Sequence, residues 1–445
     1  MPSTTHKDAF HFDHPVQSWW EASAAPLAIE TPPLAGDQSC DIAIIGAGYT
    51  GLSAALELAR EHHADVRVLE AAVVGWGASG RNGGFACVGG HKRSYQSLIA
   101  EFGLDETRKL YTTLKDATLL VEDICRAEAI DAGISGRGEI CLAHLPNRME
   151  EFRAEQAYMR QTFGEDSELL SIADLKERGV FSPAFHGGIT NETGVGVHPL
   201  NYVRGLAHAA ARAGAIIHGG SQVVRWEEGP RHHTLTTPGG TLKAKRVIVA
   251  TNGYTPEDVS TRHAGRLLPA LSSVIVTRVL TGDERLAQGW TTTRMAYDSR
   301  ILLHYFRLLP DGRFLFGGRG GTDASNQGHQ PQCQRLTTHF HDLFPAWRHV
   351  EITHYWRGFV CLTADRLPYV GPLDEKKSVW TSIAYHGNGV ALATWSGRAL
   401  ARAMMGKDAN LPATITKRLA KFPFASLRPF YLKGAYLWYE IKDRR

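Results

Sequence analysis

The sequence predicts an α/β fold in two parts: a Rossmann-like parallel sheet with helices, and a second unit with a mainly antiparallel sheet and helices. Three observations predict it. A strand–turn–helix–strand pattern with GxGxxG spacing opens at Asp41, and a second short apolar run, Val247 to Ala250, ends in a small polar turn. Between Pro269 and His354, period-two stretches alternate with turn residues.

In Asp41–Glu70, Ile42 to Ile45 form an apolar run suited to a strand buried on both faces. Gly46, Ala47, Gly48, Tyr49, Thr50 and Gly51 make the turn. Leu52, Ala55, Leu56 and Ala59 recur at helical spacing, and Val66, Val68 and Leu69 make the next strand. In such a unit the first glycine makes the tight turn, the second lets the backbone approach a pyrophosphate, and the third lets helix and strand pack closely. The helix N-terminus offers N–H groups and partial positive charge to phosphate. Glu70, 19 residues after Gly51, stands where a carboxylate accepts hydrogen bonds from a ribose, with Ala71 beside it. A glycine-rich turn of ordinary packing purpose leaves that acid unexplained. An acid there also disfavours a 2′-phosphate, and hence NADP.

Gly75 to Gly84 form a second glycine-dense polar segment, including Gly77, Ala78, Ser79, Gly80, Arg81, Asn82, Gly83 and Gly84. Together, GAGYTGLSAA, LEA and GWGASGRNGG resemble the FAD-dependent amine and amino-acid oxidoreductases of the D-amino-acid oxidase superfamily. The resemblance is strongest to its gamma-glutamylputrescine oxidases, which share an aromatic lead-in like Ser18-Trp19-Trp20. It spans most of the chain, but only the FAD motifs are specific. It implies non-covalently bound FAD, with the second glycine segment running toward the flavin ring.

The chain has 445 residues, enough for two domains, and its 43% hydrophobic and 21% charged content is that of a globular protein. A formal charge of +4, not gathered into basic runs, argues against a nucleic-acid partner. Six cysteines without CxxC or zinc spacing read as reduced thiols, pointing to the cytoplasm and to no metal. No secretory leader or long apolar span is evident. Trp19 and Trp20 are expected to anchor an N-terminal arm, residues 1–37.

Leu110, Leu114, Ala117, Leu120, Val121 and Ile124 give one apolar helical face, and residues 130–143 read as turn and strand. Residues 148–163 form a charged helix, and another begins at Ser171. Leu200 to Ala213 read as a helix that His198 precedes as a capping residue; strands follow at 215–218 and at Val223–Val224. The resemblance places Val223 and Val224 near the adenine. Ala250, Thr251, Asn252 and Gly253 end a buried strand at the sheet edge where ligands bind, and in the family this turn approaches the diphosphate.

Strands at 274–280, 302–308 and 314–318, with a turn at Asp311–Gly312, fit an antiparallel sheet that forms the floor of a substrate pocket. Tyr305 and His304 cannot both face the pocket, because successive strand side chains alternate. Arg319 suits an anion, an exposed strand end being the alternative. Trp356–Gly371 and Ala384–Ala391 resemble the family's last FAD segment, so Gly387, Asn388, Gly389 and Val390 are expected at the flavin and His386 against its ring. Arg81, Asn82 and His386 are the candidates for catalysis; Tyr305, Arg319 and Arg357 are those for substrate binding.

Two departures from the family bear on substrate and acceptor. Val360 stands where glycine and D-amino-acid oxidases carry a carboxylate-binding arginine, and Arg357, an odd number of residues away, should face oppositely. That favours an amine, or an acid held by another arginine. HGNG places Gly389 where sarcosine oxidases carry a lysine, so dioxygen or another electron acceptor both stay open. The resemblance implies hydride transfer from a C–N bond of an amine or amino acid to flavin N5, and hydrolysis of the imine. Alternatives are an amino-acid dehydrogenase serving a quinone or protein, and a non-catalytic FAD-binding subunit. Residues 38–95, 190–260 and 355–415 are expected to form the FAD domain, with 96–189 and 261–354 as the substrate domain. The aromatic, basic tail 416–445 is expected to pack on the body, peripheral membrane contact being the alternative.

Overall fold

The computed structural model describes residues 6–444. Its first sheet orders the strands Tyr369–Pro372, Val379–Ile383, Gly240–Val249, Gly36–Ile45, Val66–Leu69 and Ile216–His218. The last five run parallel, with Ile45 level with Val249 and Leu69, and Val249 level with Thr381. Their carboxyl ends therefore share one edge, where open α/β sheets bind ligands. A hairpin, Arg225–Glu228 with His233–Thr237, extends the sheet beside Gly240–Val249.

Helix Tyr49–His62 is buried from Tyr49 through Ala59, packed between helices Pro199–Arg212 and Gly389–Met404. Its alanines allow close approach, and Gly397 completes it: a Cβ there would lie 2.3 Å from the Thr50 carbonyl oxygen. Glu57, buried among these helices, accepts from Arg402 Nε at 2.7 Å and Arg398 Nε at 3.2 Å. Helix Leu104–Ala127 adds Leu110, Leu114, Ala117 and Val121 to the same core; Leu120 and Ile124 of the expected face are only partly buried.

Among the described residues the second sheet has nine strands and is antiparallel except where Met295–Asp298 pairs with Ser135–Leu142. Leu268–Val279 lies between Ile352–Leu362 and Arg313–Gly321, and His304–Leu308 follows. One face carries an aromatic core of Trp290, Phe306, Phe314, Phe316, Phe340, Phe344 and Trp347. The other turns toward the parallel sheet's carboxyl edge.

One expected strand does not form. Val223 and Val224 lie in an irregular segment before Arg225–Glu228. The Gly219–Gly220 turn precedes it, and Ser221 N–H donates to the Glu70 carbonyl at 2.7 Å, drawing the chain to the sheet edge instead of along it. No helix among the described residues is long and apolar enough to cross a membrane.

Candidate active site

A cavity of about 480 Å³ runs from the parallel sheet's carboxyl edge to the floor of the second sheet. At one end the chain leaves Ile45 through Gly46, whose φ of 106° suits glycine and whose N–H donates to the Leu69 carbonyl at 2.8 Å. A Cβ on Gly51 would lie 2.0 Å from the Gly46 carbonyl oxygen, so only glycine lets the helix start against the turn. Gly48 caps the helix without a side chain, and Tyr49 N–H donates to Ser79 Oγ at 3.0 Å. The first turn thus opens onto the cavity with its positive end forward.

Glu70 receives Ala47 N–H at 2.7 Å and Ala72 N–H at 3.1 Å, which hold its carboxylate at the cavity wall near Val223. Burial nevertheless pushes its carboxyl above the usual range. Ala71, Gly77, Ala78 and Gly83 also line the cavity, whereas Gly80, Gly84 and Gly253, expected at the cofactor, do not. They are packing positions: a Cβ would meet the Gly75 oxygen at 2.2 Å, the Val197 oxygen at 2.1 Å and Phe359 Cβ at 2.9 Å respectively. Val224 is a further correction. It is half exposed, and its N–H is spent on the Thr236 carbonyl at 2.9 Å.

Three distant segments are laced together here. Thr50 Oγ1 and Tyr385 OH lie 2.6 Å apart, and Asn252 Oδ1 accepts Ala384 N–H at 2.9 Å. Asn388 Nδ2 donates to the Val88 carbonyl at 3.2 Å. The run before helix Gly389–Met404 is strained, with φ of 64° at Ala384 and 51° at His386. Ala250, Thr251, Asn252, Gly387, Asn388, Gly389 and Val390 all line the cavity.

Of the catalytic candidates, Asn82 is tied down on every side. Its Nδ2 donates to the carbonyls of Ser79 and Ala78 at 2.9 and 3.1 Å, and Oδ1 accepts Gly84 N–H at 2.8 Å. It shapes the loop, and Trp20 Nε1 donates to its carbonyl at 2.8 Å, which anchors the N-terminal arm there. Arg81 lies over Trp76, 4.0 Å from the ring centre, with Nε donating to the Trp76 carbonyl at 2.7 Å. His386 is fully buried at the cavity, with Nε2 3.1 Å from Thr363 Oγ1 and Nδ1 without a hydrogen-bond partner among the described residues. Burial and nearby cations bring its pKa down to about 3, so the imidazole is neutral.

The second sheet supplies Tyr305, whose hydroxyl lies 3.0 Å from Ser272 Oγ. His304 points away to Asp298 and His339, as alternation requires. Arg319 reaches into the cavity and donates to the His386 carbonyl at 3.0 Å; this is its one hydrogen bond among the described residues. Arg357 is corrected: it is off the cavity, and its guanidinium donates to the carbonyls of Asp323 and Ser325, each at 3.0 Å. Val360 does line the cavity, together with Gly358, Phe359 and Cys361, so the strand end from Gly358 onward borders it while Arg357 lies outside.

Sequence reasoning missed Lys92, His91 and Glu139. Lys92 lies on the loop after Gly89–Gly90, and its ammonium has no hydrogen-bond or ion-pair partner among the described residues. It is open to the cavity but closely surrounded by protein. Burial, with Arg319 adding repulsion, brings its pKa down to about 7. Burial takes His91 down to about 4. Glu139 is buried beside Cys87, and its carboxyl is pushed up to about 7 by burial. The glycine pair before His91-Lys92 and the lone acid in an apolar strand were the available signals. Phe10 and Phe12 of the N-terminal arm complete the wall, packed on Tyr254 and Trp76.

The chain is similar to several known proteins. The family model described as FAD dependent oxidoreductase, DAO, matches residues 41–403. A probable oxidoreductase, OrdL, of Rhizobium meliloti is 32% identical over 97% of this chain and 98% of its own. The gamma-glutamylputrescine oxidoreductase of Escherichia coli is 31% identical over 91% of this chain and 93% of its own. Glycine oxidase from Geobacillus kaustophilus superposes with a TM-score of 0.69 at 22% identity, covering 86% of this chain and all of that one.

Proposed function

The chain belongs to the DAO family of FAD-dependent oxidoreductases, and from that premise we propose that it oxidises a C–N bond of an amine or amino acid that carries a carboxylate, gamma-glutamylputrescine being the model substrate. The residues present fit the cofactor. Residues 46–50 of the glycine turn line the cavity, helix Tyr49–His62 offers its N-terminus there, and Glu70 stands at the wall as a ribose acceptor. Ser79, Thr251 and the Gly387–Val390 turn would hold the remainder. When bound, FAD supplies the two-electron acceptor that C–N oxidation requires.

The observation that carries the substrate reading is the pair Lys92 and Arg319. Two cations face one cavity, repel each other, and form no ion pair with a carboxylate among the described residues. An anionic substrate group relieves that repulsion and gains charge-assisted hydrogen bonds. The neutral imidazole of His386 adds no charge beside them, and its Nδ1 offers one more hydrogen-bonding group. Tyr305 and Phe85 form an apolar edge for the substrate's methylene chain, their ring centres 5.5 Å apart. Phe10, Phe12 and Trp76 add further aromatic surface to the cavity wall.

All six cysteines are free thiols, which fits the cytoplasm as the working compartment. The test is steady-state turnover with matched amines, one series ending in a carboxylate and the other in a methyl amide. The reading expects kcat/KM at least tenfold higher for the carboxylates. Equal values in both series would remove the anion site from the account.

A further inference from the structure

Seven large apolar side chains stand exposed in the last 22 residues, and they share a surface. Helix Arg428–Lys442 carries Phe430, Tyr431, Leu437, Trp438 and Ile441 outward, and the turn before it adds Phe424 and Leu427. Phe424 is 78% exposed, Phe430 68%, Leu437 66% and Trp438 56%, so these are whole side chains in water. Positions 430, 431, 434, 437, 438 and 441 follow helical spacing and form one stripe, with Gly434 flattening its middle.

The segment is not loose. Its inner face packs Leu432 with Leu268 and Ala270. Arg428 is buried and donates to Glu257 at 2.6 and 2.9 Å. At the far end the Asp443 carboxylate accepts the N–H groups of Ile301 and Leu302 at 2.7 and 3.0 Å. A helix held at both ends, with an apolar face outside, is a built surface.

Charge decides what covers it. Arg418, Lys421, Lys433, Lys442 and Arg444 are exposed on this segment, Lys417 being paired with Glu101, while Glu440 is its one exposed acid among the described residues. A second copy would bring the same cations against themselves. An anionic surface would attract them, and aromatic side chains flanked by lysines suit the boundary between lipid headgroups and acyl chains. We propose that helix Arg428–Lys442 lies flat on an anionic lipid surface, with Phe430, Leu437 and Trp438 inserted below the headgroups and the flanking lysines and arginines among the phosphates. The inner face of the same helix places Tyr436 near Arg319 of the cavity, so docking would set the substrate-binding wall beside the membrane.

The test is co-sedimentation of the full-length holoenzyme with vesicles of phosphatidylglycerol and phosphatidylcholine, or of phosphatidylcholine alone, at low and high salt. Binding is expected to favour the anionic vesicles at least tenfold and to weaken with salt. The Phe430→Ser/Leu437→Ser/Trp438→Ser variant should lose it while keeping flavin content and turnover. Each of Lys433→Glu and Lys442→Glu should reduce it about fivefold or more. No preference for anionic vesicles, or binding that survives the triple substitution, would overturn the proposal. So would a wild-type dimer in sedimentation velocity that the triple variant abolishes without any vesicle binding.

Discussion

If Lys92 and Arg319 form the anion site, carboxylate binding must follow the charge on Lys92. Arg319 stays charged at any usable pH, whereas Lys92 titrates near 7. Below that value both cations are present; above it one is lost. Between pH 6 and pH 8 a group with this midpoint goes from about nine-tenths charged to about one-tenth. The Lys92 side chain is exposed in the open cavity, where solvent screens its charge, so the dissociation constant of a carboxylate should rise a few-fold, at most about tenfold. Linkage fixes the sign: a bound carboxylate stabilises the ammonium, raises its pKa, and draws in a proton above pH 7. His91 and His386 titrate near 4 and 3 and stay neutral throughout this window. Glu139 titrates near 7 as well, and its ionisation would weaken anion binding in the same direction. Glu139→Gln is therefore the control, and it should retain most of the slope. The assay is the perturbation of the bound flavin's absorbance by glutarate, a dicarboxylate without an amine to oxidise. Lys92→Met should bind weakly with no slope across the window. A wild-type constant unchanged between pH 6 and pH 8, or an identical slope in Lys92→Met, would refute the reasoning.

The remaining predictions concern the cradle, the two strand arginines and the core. Gly51→Val would force a side chain where even a Cβ lies 2.0 Å from the Gly46 oxygen. FAD affinity should fall more than tenfold, above about 1.4 kcal/mol, with the circular dichroism of the fold retained. Arg319→Met should raise the glutarate dissociation constant about tenfold or more, whereas Arg357→Met, whose guanidinium serves backbone carbonyls away from the cavity, should leave it within about twofold. Trp347→Ala removes a fully buried ring from the aromatic core, and urea unfolding should show a loss of about 3–5 kcal/mol.

The cofactor half of the site was legible because its chemistry is written in short, local patterns. Gly46, Gly48 and Gly51 announce a turn crowded at those three positions, and the apolar runs before Gly46 and Thr251 announce buried strands. Alternation along a strand also separated Tyr305 from His304. Legibility failed where placement depends on tertiary packing. Nothing local to Lys92 says that its loop passes Asn388 and delivers an ammonium beside Arg319, 227 residues later in the chain. Glu139 reads as an ordinary strand residue until Gly188–Gly196 and Met295–Asp298 flank its strand. Val224 failed for a related reason: Val223–Val224 is a good β pair by composition, but the segment's hydrogen bonds are claimed by Glu70 and Thr236.

The most direct measurement is anaerobic titration of the purified, FAD-loaded protein with gamma-glutamylputrescine while its visible spectrum is followed. The account predicts that the oxidised flavin absorbance bleaches stoichiometrically, that the methyl amide of the same amine does so much more slowly, and that an electron acceptor restores the colour. A protein that cannot be loaded with FAD, or a bound flavin that no carboxylate-bearing amine reduces, would contradict it.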